Sequence, residues 1–150
     1  MQSGNTKHIW KLLDTVPDPE IPVISVVELG VIRDVTFSNK SYTILITPTY
    51  SGCPAVKAFT DDIKNCLKKN GVRNFKLKLV YSPAWTTDWM TKKTKEKLKN
   101  YGIAPPSETV ICPQCNSKNT ELISEFGATA CKAMYKCSDC LEPFEFFKCI

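Results

Sequence analysis

The chain has 150 residues, of which 43% are apolar and 23% are charged, and its formal net charge is +5. This is the composition of a folded globular protein with one domain, or one small domain with an appendage, and it excludes an intrinsically disordered chain. No stretch reaches the roughly 18 consecutive apolar residues that a membrane-spanning helix needs, and the polar N-terminus lacks the apolar segment of a signal peptide. We therefore expect a cytoplasmic protein with no membrane partner.

The charge is unevenly distributed along the chain. Residues 1–106 contain 16 Lys and Arg against 9 Asp and Glu, a net charge of +7, whereas residues 107–150 contain 4 against 6, a net charge of −2. This difference predicts two units with different partners. A net positive charge of this size does not by itself establish nucleic-acid binding, because it also serves solubility.

A short amphipathic helix is predicted over residues 8–13. The loop that follows, Pro17–Pro22, contains three prolines, which exclude a helix interior or a central strand there. Ser25 is well placed to cap a brief helical turn that Gly30 would end.

The next segments alternate between strand and helix patterns. Apolar residues recur at period two in the strands and on one helical stripe in the helices; the predicted order is strand, strand, helix, strand, helix, at residues 31–37, 42–47, 55–70, 75–79 and 87–101. We expect a small layered α/β (α+β) domain over residues 1–103. A proline-rich linker, 104–109, would lead to a β-rich ribbon at 110–150.

Two Cys-x-x-Cys pairs dominate the C-terminal part: Cys112 with Cys115, and Cys137 with Cys140. Two cysteines three residues apart on a tight turn can point at one centre, and the 110–150 segment is too short to hold a fold by burial alone. Four thiolates complete a tetrahedral shell, so the site would stabilise structure and would not catalyse. The pattern predicts a zinc ribbon, with iron as the chemical alternative in the same all-sulfur geometry.

Cys131 and Cys149 lie in the same segment but outside the two pairs. They are either additional ligands for an iron–sulfur cluster or small buried residues on the strands of the ribbon, and the second interpretation is the more frequent one for free cysteine.

Cys53 stands directly before Pro54 at the predicted start of the helix 55–70. Pro54 suits the first helical position, and Cys53 would face unpaired backbone N–H groups, which lower a thiol pKa and favour the reactive thiolate. Thr49 and its neighbours supply hydroxyl groups before it. The alternative is a cysteine that only caps the helix. Asp18 and Glu20 would be metal ligands or bases if they met Cys53 in space, and turn formers otherwise.

These motifs together resemble a known family. Val16-Pro17-Asp18-Pro19-Glu20-Ile21-Pro22, Glu28-Leu29-Gly30 and Thr47-Pro48-Thr49 with Cys53-Pro54 resemble the small domain of iron–sulfur assembly proteins of the SufT and PaaD type. The C-terminal segment is similar to the PaaD family specifically, through Cys112–Cys115, Glu121–Gly127, Thr129–Ala133 and Pro143–Cys149. PaaD proteins are accessory subunits encoded with the phenylacetyl-CoA monooxygenase (epoxidase).

The resemblance implies a maturation factor without catalytic turnover of its own. Cys53 would be the reactive or cluster-contacting residue, bordered by Asp18, Glu20 and Thr49, and an iron–sulfur cluster would be held only transiently. The implied partners are oxygenase subunits of the phenylacetyl-CoA epoxidase system and iron–sulfur assembly proteins. The match also raises the chance that Cys131 and Cys149 are functional.

Two other classes of function remain open from the residues alone. A zinc ribbon next to the lysine-rich helix at 87–101 also fits a nucleic-acid-binding module, with salt-dependent phosphate contacts, but the net negative ribbon argues against it. A thiol-dependent enzyme with Cys53 as nucleophile would need a base within hydrogen-bond reach, and the sequence offers only Asp18, Glu20 or a tyrosine.

Overall fold

The structure is a computed structural model that describes residues 2–49 and 55–149, and only the backbone of residues 2–5. The chain divides into two compact units, which we call the N-terminal unit (residues 1–85) and the C-terminal unit (residues 86–150). None of the helices in the described ranges is long and apolar enough to cross a membrane.

The N-terminal unit contains a three-stranded sheet and helices. In chain order its elements are α1 Gln2–Leu13, α2 Val26–Leu29, β1 Ile32–Ser38, β2 Ser41–Ile46, α3 Ala55–Lys69 and β3 Phe75–Leu79. The strand order is β1-β2-β3, with β1 and β2 antiparallel and β2 and β3 parallel. A parallel pair requires a crossover connection, and α3 supplies it. The predicted α+β class is confirmed.

The core of this unit consists of the apolar stripes of α1 and α3 and the inward residues of β2. Ile9 and Leu13 on α1, Ile63 and Leu67 on α3, and Ile44 on β2 have no measurable exposure. The stripe predicted on α3 is therefore correct in its main positions. Cys66, at its margin, is half-buried, and its thiol donates to the carbonyl of Leu12 at 3.4 Å.

The predicted cap after the proline loop is confirmed. Ser25 caps α2: its hydroxyl accepts the N–H of Glu28 at 3.0 Å, and the carboxylate of Glu28 accepts the N–H of Ser25 at 3.1 Å. This reciprocal capping box satisfies two of the donors that a helix start leaves open. Gly30 ends the turn at φ 89°, a backbone conformation that glycine adopts without steric cost.

The C-terminal unit contains a short helix and a four-stranded sheet. Its elements are a 3₁₀ turn Thr87–Trp89, α4 Lys92–Asn100, β4 Ile103–Ala104, β5 Thr120–Ser124, β6 Lys132–Cys137 and β7 Pro143–Phe147. The strand order is β4-β7-β6-β5. The β6–β7 and β5–β6 pairs are antiparallel, and β4 runs parallel to β7.

The single helix predicted over residues 87–101 is wrong. The chain is extended at Thr91, with φ −77° and ψ 163°, and the Thr91 hydroxyl accepts the N–H of Thr94 to cap a new helix, α4. The apolar residues on both sides of this break continue the same pattern, so periodicity alone did not reveal it.

The division of the chain also differs from the expected boundary at residue 103. Helix α4 contacts β4, and Ala104 in β4 pairs with Phe146 in β7. The expected linker 104–109 includes Ala104, which is instead a buried strand residue. The sequence after Trp85 therefore belongs structurally with the ribbon, because β4 completes its sheet.

Candidate metal centre

The four cysteines of the two Cys-x-x-Cys pairs lie together. The sulfurs of Cys112, Cys115, Cys137 and Cys140 are all within 4.8 Å of one another. The Sγ–Sγ distance is 3.7 Å between Cys112 and Cys140 and 3.5 Å between Cys115 and Cys137. A tetrahedral zinc ion with Zn–S bonds of about 2.3 Å requires sulfurs about 3.8 Å apart. The donor set and its spacing therefore fit a tetrahedral metal of this size.

The two Cys-x-x-Cys turns have the same backbone geometry. The N–H of the first cysteine donates to the carbonyl five residues later in each turn: Cys112 to Ser117 at 2.9 Å, and Cys137 to Glu142 at 3.0 Å. The residue after the second cysteine has a positive φ in both, 62° at Asn116 and 65° at Leu141. This repeated turn brings the two sulfurs of each pair to one side, which explains the pairwise approach to one centre.

Backbone N–H groups point at the sulfurs of the first cysteines. The N–H of Gln114 donates to Cys112 Sγ and the N–H of Cys140 to Cys137 Sγ, each at 3.4 Å. Such donors favour the thiolate over the thiol. The hydrogen bond from Cys140 is the main cause that lowers the pKa of Cys137 to about 7.

The sulfurs also oppose one another's ionisation. At Cys140 the N–H of Glu142 lowers the thiol pKa, but lost hydration and the sulfurs of Cys112 and Cys137 outweigh it and raise the pKa to about 12. Four crowded thiols therefore do not all ionise by themselves near neutral pH. A divalent cation among them would reverse this, because it favours the thiolate at every position and displaces the protons.

The metal centre rests on the core of the ribbon. Cys112 and Cys137 are completely buried and pack with Ala104, Phe144 and Phe146, whereas Cys115 and Cys140 are exposed. The ring of Tyr135 packs against this cluster, with its centroid 5.5 Å from that of Phe146. The buried pair ties the site to the sheet, and the exposed pair closes it from the solvent side.

A polar bridge between the two turns was not anticipated from the sequence. Asp139, inside the second turn, accepts hydrogen bonds from the hydroxyl of Ser117 and, at 3.3 Å, from the side-chain amide of Asn119. These bonds hold the pKa of the Asp139 carboxyl below its ordinary value. The available signal was an acidic residue between two predicted ligands, but its partners lie about twenty positions earlier and could not be identified by spacing.

Cys131 and Cys149 are not part of the four-sulfur group. Cys131 is buried, with its sulfur 3.0 Å from the hydroxyl of Thr129, whereas Cys149 is exposed. The backbone N–H of Lys148 donates to the carbonyl of Cys131 at 3.0 Å. Of the two, only Cys131 has the burial expected of a core cysteine.

The proline loop is ordered around Asp18. Its carboxylate oxygen Oδ2 accepts the N–H groups of Glu20 at 2.9 Å and Ile21 at 2.8 Å, and its own N–H donates to the carbonyl of Ile24. The side chain is 7% exposed. Asp18 therefore shapes the loop from inside, as a turn-forming aspartate does.

Cys53 and the loop 50–54 lie outside the described residues, so the predicted meeting of Cys53 with Asp18 and Glu20 stays a prediction. Glu20 and Thr49 are half-buried. Thr47, at the end of β2, is 1% exposed, and its hydroxyl has no hydrogen-bond partner among the described residues. A buried hydroxyl without a partner is costly, which marks this approach to Cys53 as unusual.

Two family models match the chain, in the order of the two units. Residues 6–73 match the iron–sulfur cluster assembly protein family, and residues 99–148 match the PaaD zinc beta ribbon domain. A protein of Escherichia coli (strain K12), whose provisional name makes it a component of 1,2-phenylacetyl-CoA epoxidase, is 48% identical over 95% of this chain and 92% of its own length. The chain belongs to the PaaD family.

Other relatives of this PaaD-family chain match only its N-terminal part. The Fe–S protein maturation auxiliary factor YitW of Bacillus subtilis (strain 168) is 32% identical over 63% of this chain and 94% of its own length. A solved structure from Bacillus anthracis, titled a domain of unknown function DUF59, is 30% identical, with a TM-score of 0.60, over 65% of this chain and 93% of that one. The assembly-type fold is thus found without a ribbon in other proteins, whereas the PaaD family joins it to the four-cysteine segment.

Proposed function

We propose that this chain is an accessory factor that assists iron or iron–sulfur cluster assembly in a subunit of a phenylacetyl-CoA epoxidase, and that it has no catalytic turnover of its own. The observation that supports this most directly is the 48% identity to the Escherichia coli epoxidase component over 92% of that protein. The names of shorter relatives, which are Fe–S protein maturation auxiliary factors, support the assembly role. The partners would be the oxygenase subunits of the same system and iron–sulfur assembly proteins.

We further propose that the ribbon holds zinc through Cys112, Cys115, Cys137 and Cys140. Zinc would supply structural cross-linking only, because four thiolates leave no open coordination position for chemistry. Iron is the alternative in the same sulfur set. The proposal includes a cytoplasmic location, since the seven described cysteines are all free thiols and reduced thiols persist there.

Metal analysis of the purified protein tests this assignment. We expect one zinc per chain and no visible absorption. A red protein with one iron per chain would replace zinc with iron. A chain that retains no metal after purification in the presence of zinc would contradict the ribbon proposal.

Cys53 is the proposed reactive or cluster-contacting residue, with the cluster as cargo that is passed on. Three features support this role. Cys53 precedes Pro54 directly before α3, where the helix start would favour a thiolate; the neighbouring Thr47 hydroxyl is buried without a described partner; and the proline loop is held in one shape by Asp18. Asp18, Glu20 and Thr49 would border the cargo.

Co-production with the epoxidase subunits tests the role of Cys53. We expect the purified oxygenase to contain much less iron and to be correspondingly less active when the co-produced chain has Cys53→Ala. A matched control is Cys66→Ala, since Cys66 lies on the α1–α3 contact and outside both sites. Undiminished iron content and activity with Cys53→Ala would reject the proposed role.

A further inference from the structure

A cleft at the start of β2 collects cationic and amide side chains and no acidic ones. It is lined by His8, Lys40, Tyr42, Asn70, Arg73 and Asn74, among others, and has a volume of about 420 Å³. Ligand sites in proteins typically have volumes of roughly 300–1,000 Å³. The cleft lies within the N-terminal unit, at the opposite end of β2 from Thr47.

The positive charges of this cleft are not neutralised by the protein. Among the described residues, neither Lys40 nor Arg73 forms an ion pair or a side-chain hydrogen bond. No Asp or Glu occurs between Ile63 and Thr87 in the sequence, so the segment that forms one wall has no acidic residue. Two unpaired cations at one concave surface raise the local potential for an anion.

These cations are not needed to complete the end of helix α3. The last carbonyls of α3 already have partners: the N–H of Val72 donates to Leu67 at 2.9 Å, and the N–H of Gly71 donates to Lys68 at 3.1 Å. The side-chain amide of Asn70 also donates to the carbonyl of Cys66 at 2.8 Å. This is the closing pattern of a well-capped helix, so Arg73 is free of a capping role.

Lys40 occupies a backbone position that disfavours it. Asn39 and Lys40 form the two-residue turn between β1 and β2, with φ values of 52° and 62°. Such turns favour glycine at the second position, and a side chain with left-handed backbone costs roughly 1 kcal/mol. The chain has a lysine here, and its side chain lines the cleft. A residue that lowers stability where glycine would fit indicates a use for its charge.

From this arrangement we infer that the cleft binds the phosphate group of a small molecule. Lys40 and Arg73 would contact the phosphate oxygens, and the planar guanidinium of Arg73 suits bidentate contact. The amide of Asn74 and the imidazole of His8 offer further donors. The half-buried ring of Tyr42 forms an apolar wall beside them, so a phosphate ester such as a nucleotide would gain additional contact. This inference does not depend on the proposed maturation role.

An NMR titration of the full-length, zinc-loaded chain tests the site. Inorganic phosphate and AMP are added separately at constant ionic strength, and backbone amide shifts are followed at residues 40–42 and 71–74. The test variant combines Lys40→Gly with Arg73→Gln; glycine suits the φ of residue 40, so the fold is retained. The matched control is Lys76→Gln, which removes an exposed lysine on β3 outside the cleft.

We expect saturable shifts confined to these residues, with the dissociation constant raised about tenfold or more in the test variant, because charged hydrogen-bond partners are lost, and unchanged in the control. Tighter binding of AMP would identify a phosphate ester as the ligand, and equal binding would identify free phosphate. Shifts that do not saturate, or that are the same in the test and control variants, would show general charge screening and overturn the inference.

Discussion

At the scale of single residues, a few polar side chains set the geometry of both candidate sites. Asp139 joins the two cysteine turns through Ser117 and Asn119, and Ser25 joins the proline loop to the end of α1 through Asp14. Neither residue is a proposed ligand. Both act by holding the backbone that presents the ligands or the cargo-facing loop.

Replacement of Asp139 should weaken metal binding. In Asp139→Ala the two turns lose their polar bridge, so we expect metal affinity to fall by about tenfold or more, as is usual when partners of metal ligands are removed. Competition with a chromophoric chelator measures this. Asp62→Ala, an exposed change on α3, should have no effect. Equal affinity in both variants would show that the bridge is dispensable.

Replacement of Ser25 should destabilise the N-terminal unit. The Ser25 hydroxyl accepts the N–H of Glu28 and donates to a carboxylate oxygen of Asp14 at 2.6 Å. Loss of an N-cap typically costs about 1–2 kcal/mol, so Ser25→Ala should lower the free energy of unfolding by this amount in urea denaturation. Ser38→Ala, at the exposed end of β1, is the control. A loss below about 0.5 kcal/mol in Ser25→Ala would contradict the role of the cap.

At the scale of elements, the ribbon sheet contains a lysine where a strand interior normally holds an apolar residue. Lys132 at the start of β6 is 3% exposed, and its ammonium group lies 3.5 Å from a carboxylate oxygen of Glu145 on β7. The other oxygen of Glu145 accepts the N–H of Ala128. The pair thus links β6, β7 and the loop that precedes β6.

The two members of this pair should respond unequally to substitution. Glu145→Gln leaves a buried ammonium without its counter-charge, which should cost about 3 kcal/mol or more. Lys132→Met should cost much less, because Glu145 is about a quarter exposed and stays hydrated. Urea denaturation of the zinc-loaded protein measures both.

The exposed pair of Lys57 and Asp61 on α3 provides the control for this comparison. Asp61→Asn should change the unfolding free energy by less than about 1 kcal/mol, as exposed pairs do. If Glu145→Gln were as mild as Asp61→Asn, the pair on the ribbon would be effectively hydrated and the argument from burial would be wrong.

At the scale of the whole molecule, the two units have different sources of stability. The N-terminal unit buries an apolar core between its helices and sheet. The C-terminal unit has a small core centred on Cys112, Cys137 and two phenylalanines. Binding of a structural zinc ion contributes about 10–16 kcal/mol in small zinc domains, so the ribbon should depend on metal and the N-terminal unit should not.

Removal of the metal should therefore unfold one unit only. After chelation, hydrogen exchange measured by mass spectrometry should show loss of protection in β5, β6 and β7 and unchanged protection in α1, α3 and β2. Restoration of protection by added zinc would exclude irreversible damage. Protection of the ribbon strands that survives chelation would contradict a metal-dependent fold.

Several local features of this fold could be predicted because neighbouring residues decide them. The spacing of apolar residues predicted α3 and the strands β1 to β3, and the Ser25 cap followed from residue types within four positions. The break at Thr91 was missed, since the apolar pattern continues across it. The membership of β4 in the ribbon was missed as well, because its partner β7 lies about forty residues away.

By itself, the sequence determined which four cysteines form the candidate metal centre, because each pair is defined within one tight turn and the chemistry of thiolates requires four of them. It also determined the order of helices and strands in the N-terminal unit, through local periodicity. Only the tertiary structure decided that Asp139 bridges the turns, that Lys132 is buried against Glu145, and that Lys40 and Arg73 meet in one cleft. Each of these depends on residues far apart in the chain, which the packing of strands and helices brings together and which no local pattern encodes.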